Sequence, residues 1–111
     1  MAKGFKNYNF EFDKNETRML TSLCKQVIKQ VQSNRDYYRI EKAFTAVLEK
    51  LNSGEDIVKL TRDEYTQIAL HLKENVKFFN DKIKKSWIFK KWMYKSLLLQ
   101  YQTILKTHFS D

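Results

Sequence analysis

Two glycines and no proline punctuate 111 residues. Hairpin turns, sandwich corners and barrel bulges draw heavily on those residues, so a β sandwich or barrel of this length would need many more of them. A chain with so few breakers folds as long helices joined by few connections. With 42% hydrophobic and 14% aromatic residues it carries enough apolar surface for a packed core. The length fits a single helical domain over residues 1–111.

Local signals divide the chain. In NYNFEF, residues 7–12, Tyr8, Phe10 and Phe12 alternate with polar residues, the period of a strand. Asp13 with Glu16 resembles a capping box and opens a helix to about Gln32. Its apolar residues Leu20, Leu23, Val27, Ile28 and Val31 share one helical face. Ser33 and Asp36 mark a second start, with Tyr37, Ile40, Phe44, Val47, Leu48 and Leu51 inward, and Asn52-Ser53-Gly54 ends that helix. After DIVKL, Thr61 and Glu64 form a full capping box. A third helix follows, and a fourth reaches about His108. The break between them falls within residues 80–86, with Asn80-Asp81 as a C-terminus and Ser86 as an N-cap.

NFEFDKNE (9–16) and IVKLTRDE (57–64) align at an offset of 48. This suggests an internal repeat, 9–52 and 57–108, with chance similarity of two helix starts as the competing explanation. The expected fold is mainly α: a four-helix bundle of two helical hairpins, with a short two-stranded β ribbon from residues 8–12 and 57–60.

Lys and Arg number 21 against 13 Asp and Glu, a formal net charge of +8. Such a surface attracts nucleic acid, anionic membrane or an acidic protein. The abundance of Lys, Asn, Ile, Phe and Tyr points to A/T-rich codons, as in a low-GC Gram-positive bacterium, its phage or a mobile element. Cys24 is the single cysteine, so no intrachain disulfide forms. The opening MAKGFKNYNFEFDK has no apolar core of signal-peptide length, and a cytoplasmic location is the expectation.

No constellation for catalysis stands out. His71 and His108 are far apart and neither has ligand spacing with Cys24; no Glu-x-x-His occurs. Cys24 lies between Leu23 and Val27 as a small core hydrophobe rather than a thiolate nucleophile. Glu16 and Glu64 are cap partners, and Gly54 alone is a helix end, not a phosphate loop. No catalytic residue, metal or cofactor is expected.

The exception is KIKKSWIFKKWMYK, residues 82–95, part of an acid-free run from Lys82 to Ser110. In the fourth helix Met93, Leu97, Tyr101, Ile104 and Leu105 make the core stripe, with Tyr94 and Leu98 beside it. If the helix is continuous through Lys84, then Lys84, Lys91, Lys95, Gln102 and Lys106 fall roughly opposite, and Ile88, Trp92 and Leu99 fall among them. Lys90 does not fit, pointing to the apolar side. The plain explanation, weighted most, is that the same chain covers Trp92 and Ile88, for instance with Phe5, Tyr8, Phe10 and Phe12. A homodimer seam is the second. The third is a site for a different partner, with Trp92 anchoring and lysines around it.

On this third reading the chain is a non-enzymatic binding protein, a regulator or inhibitor that docks on a protein through Lys84, Ile88, Lys91, Trp92, Lys95 and Leu99. The alternative is a nucleic-acid-binding protein of low sequence specificity using residues 82–95. Arginine, the usual base reader, occurs only at positions 18, 35, 39 and 62, which weakens that alternative. A membrane surface ranks third, because the core-facing side of this helix is needed for folding.

Overall fold

A computed structural model describes residues 8–85 and 88–109, the side chains of Ile88 and Phe89 excepted. Phe5, Ser86 and Trp87 lie outside the described residues. The elements run β1 (Tyr8–Phe10), α1 (Lys14–Val31), a 3-10 turn (Arg35–Tyr37), α2 (Tyr38–Leu51), β2 (Val58–Leu60), α3 (Arg62–Lys85) and α4 (Ile88–His108). The fold is mainly α, with four helices and one small antiparallel ribbon, as the scarcity of breakers implies. The chain forms two compact units, 1–67 and 68–111, the division falling one and a half turns into α3.

In the first unit α1 packs on α2. The α1 cap is a complete capping box: Glu16 N–H donates to Asp13 Oδ1 at 2.7 Å, and Asp13 N–H donates to Glu16 Oε1 at 3.0 Å. Met19, Leu20, Leu23, Cys24 and Val27 of α1 are buried, as are Ala43, Phe44, Val47 and Leu51 of α2, at the spacing of single helical faces.

The ribbon pairs Tyr8 with Leu60, Asn9 with Lys59 and Phe10 with Val58. Directly opposed residues share a face, so Tyr8, Phe10, Val58 and Leu60 lie together while Asn9 and Lys59 point to solvent. Tyr8 and Phe10 stack on Tyr65 in the first turns of α3, with ring centroids at 4.1 and 6.0 Å. β2 also contacts α2, so the ribbon has the helical support that an isolated pair of strands lacks. The strand stops at Phe10 rather than residue 12, and Phe12 instead stacks on Phe10 at 5.2 Å.

The start of α2 differs from expectation. Asn34, not Ser33, caps the 3-10 turn that precedes the helix, its Oδ1 accepting from the Asp36 N–H at 3.0 Å, and α2 itself begins after Tyr37 without a side-chain cap. Ser33 takes the left-handed conformation, φ 77°, that reverses the chain. Tyr37 falls in the 3-10 turn, off the 3.6-residue period of α2, and is 45% exposed instead of inward. The end of α2 is as read: Ser53 Oγ and N–H both donate to the Lys50 carbonyl, and Gly54 follows at φ 83°.

In the second unit Ile68, Ala69 and Leu72 of α3 are buried, as are Tyr101 and Ile104 of α4 and Phe109 beyond it. The two helices meet through rings: Phe79 stacks on Tyr101 at 5.6 Å and lies 6.0 Å from Tyr94. Helix α3 ends at Lys85, inside the expected window.

A candidate docking face on α4

Helix α4 is apolar on two sides, and only one of them is buried. Tyr101 and Ile104 are enclosed, with Tyr94, Leu97, Leu98 and Leu105 half-buried beside them. At 100° per residue the opposite side carries Trp92, Lys95, Leu99, Gln102 and Lys106 within an arc of roughly 80°. All five are exposed, Trp92 to 69% and Leu99 to 64%. Trp92 and Leu99 are seven residues apart, two turns or about 10 Å along the axis. Burying an indole and a leucyl side chain is worth a few kcal/mol of transfer free energy, which this surface leaves unused.

The expected site residues do not all come together. Lys91, Trp92, Lys95 and Leu99 share α4, Lys91 being half-buried. Ile88 opens the same helix, but its side chain lies outside the described residues. Lys84 belongs to α3, because the helix is not continuous through it; it is exposed there, off the α4 stripe. Met93, read as core, is 41% exposed, at the margin between the two faces. Lys90, expected to point to the apolar side, is exposed in the first turn of α4.

Two exposed aromatic features escaped the sequence reading. Phe78 is half-exposed on α3 with Lys82 Nζ 5.4 Å from its ring centre, a cation–π contact. The signal was present: of two adjacent helical phenylalanines, Phe78 and Phe79, only one can face the core. Tyr38, at the start of α2 between Arg35 and Arg39, is also exposed. Arg39 pairs with Asp63 at 3.1 Å in an exposed bridge of little energetic weight.

Elsewhere the titratable groups are engaged structurally. Cys24 is fully enclosed, and burial pushes its thiol up to about 12, so it stays protonated and unreactive at neutral pH. Burial also raises the Tyr101 hydroxyl. Among the described residues no three His, Cys, Asp or Glu side chains cluster as a metal would require. An open depression of about 490 Å³ beside β2, lined by Lys50, Glu55, Asp56 and Lys59 among others, mixes both signs of charge. Among the described residues no helix is long and apolar enough to cross a membrane.

Comparison with protein-family models, with curated proteins and with solved structures finds no match to this chain, so the functional reading rests on its residues.

Proposed function

We propose that this chain is a small, basic, non-enzymatic binding protein that docks on a protein partner through the outer face of α4 and regulates or inhibits that partner. The observation that carries the reading is the 69% exposure of Trp92, on the side of α4 opposite buried Tyr101 and Ile104. Tryptophan is the residue most enriched at binding hot spots, and cations around it favour fast, oriented encounter. Lys91 and Lys95 supply those cations, and no acidic residue between Lys82 and Ser110 offsets them.

The acid-free run favours one second reading, weakly specific binding of nucleic acid, in which the lysines neutralise phosphates. The two separate by experiment. A Trp92→Ala variant should lose roughly 2 kcal/mol or more of binding to a protein partner, about thirtyfold in Kd, with its thermal unfolding unchanged. Unchanged affinity would remove the docking face. A gel shift with single- or double-stranded oligonucleotides that collapses as salt rises would instead establish the second reading.

A further inference from the structure

The outer face of α4 also constrains what kind of surface it receives. We infer that its occupant is an acidic amphipathic α-helix of a partner protein, laid along α4; the inference rests on the docking face proposed above. Trp92, Lys95, Leu99, Gln102 and Lys106 recur at intervals of three and four residues, the spacing of a helix–helix seam. All five are exposed, so the seam is uncovered over two heptads.

One shoulder of the seam is built for close approach. Ser96 and Thr103 are small, and their hydroxyls already have partners on their own helix. Thr103 Oγ1 donates to the Leu99 carbonyl at 2.7 Å, and Ser96 Oγ accepts from Gln100 Nε2 at 3.3 Å. A second backbone can approach Thr103 without stranding its hydroxyl, and a polar group of the occupant can accept from the Ser96 O–H. The apolar members sit seven residues apart, so the occupant needs apolar residues at the same interval. Lys95 and Lys106 lie between and beyond them, and carboxylates opposite these would complete the pairing.

Charge weighs against a second copy, and the pattern of side chains weighs against the anionic alternatives. Two copies of α4 would leave Lys95 and Lys106 without a carboxylate in either direction: a parallel pair sets lysine against lysine, and an antiparallel pair about Leu99 sets Lys95 near Gln102 and Lys106 near Trp92, with no acidic residue in the helix. An interfacial membrane helix inserts a broad apolar face; here the exposed arc offers only Trp92 and Leu99, with Lys95, Gln102 and Lys106 filling the rest of it. Nucleic acid would leave the aliphatic Leu99 without a role, since stacking on bases requires a ring or a guanidinium.

The test is selection of binders to the full chain from a displayed library of random peptides about 20 residues long, enough for helices to hold. Binders lost on both Trp92→Ala and Leu99→Ala are sequenced. The expected set is net acidic, helical when bound, and apolar at seven-residue intervals. Lys95→Glu should weaken such a peptide about tenfold or more, and changing the matching acid of the peptide to Lys should restore it. Trp92-dependent binders that are extended, proline-rich or not acidic would overturn the helix inference while leaving the docking face. The absence of any Trp92-dependent binder would remove the face as well. Displacement of the selected peptides by a single-stranded oligonucleotide, or by phosphatidylglycerol vesicles, at lower concentration than unlabelled peptide would assign the face to that competitor instead.

Discussion

Lys50 Nζ donates to Glu64 Oε1 at 2.6 Å, and the same carboxylate oxygen accepts the Thr61 N–H at 2.9 Å. One buried acid thus closes the α3 capping box and holds the last turn of α2 to it, with β2 between them. Glu64 is nearly inaccessible while Lys50 keeps about a third of its side chain in water, which eases the desolvation of the pair.

Removing one partner should therefore cost more than an ordinary surface ion pair. Glu64→Ala strips the cap and leaves Lys50 without its acid, and a loss of about 2–4 kcal/mol is expected in urea unfolding. The exposed bridge gives the control: Arg39→Ala should cost less than about 1 kcal/mol. Equal effects would mean that Glu64 acts only as a cap.

The two faces of α4 should respond oppositely to truncation. Ile104→Ala removes a buried side chain and should destabilise by about 2–4 kcal/mol. Trp92→Ala and Leu99→Ala should each stay within about 0.5 kcal/mol of the parent. Chemical denaturation of the three variants checks this, and a large loss at Trp92 would place the indole in the core.

Cys24 predicts an alkaline effect with a definite sign. Its thiol is raised from about 9 to about 12 in the folded chain, so below pH 9 both states hold the proton and nothing changes. Above pH 9 the unfolded chain releases it and the folded chain does not. Stability then falls by up to about 1.4 kcal/mol per pH unit until the folded pKa is reached. The difference in slope between the parent and Cys24→Ala over pH 8–11 isolates this from lysine and tyrosine titration. Iodoacetamide at pH 8 should label Cys24 only after urea is added.

The two left-handed residues should give changes of opposite sign. Ser33→Gly relieves a side chain held at φ 77° and should stabilise by up to about 1 kcal/mol. Gly54→Ala meets no steric neighbour within 4 Å, yet should destabilise by about 1 kcal/mol because alanine resists φ 83°. Thermal melts of both variants decide it.

Much of the fold was legible because its punctuation is local. The capping boxes at Asp13 and Thr61, the stop at Gly54 and the alternation of Tyr8 and Phe10 each use a few adjacent residues, and each stands as read. The approach to α2 was less legible, since Ser33, Asn34 and Asp36 all have capping chemistry, yet Asn34 caps only the 3-10 turn and α2 starts with no side-chain cap. The passage from α3 to α4 contains no glycine or proline, so the sequence left open whether one helix runs through Lys84, which lies in the last turn of α3 and not in α4. Met93 was misplaced by a related difficulty: it lies on the boundary of a helix that is apolar on both sides, where periodicity cannot say which edge meets protein. The exposure of Trp92 and Leu99 was legible only as a conflict, apolar residues among lysines, that coordinates were needed to resolve.

The ribbon bears on the order of folding. Helices α1 and α2 are neighbours along the chain and can associate across a six-residue connection, whereas β1 must find β2 across everything between them. Closing so long a loop for three residue pairs is entropically unrewarding until the intervening hairpin has shortened it. The first strand of the chain is therefore its last clasp. In pulsed hydrogen exchange its amides should gain protection after those of Leu23 and Phe44.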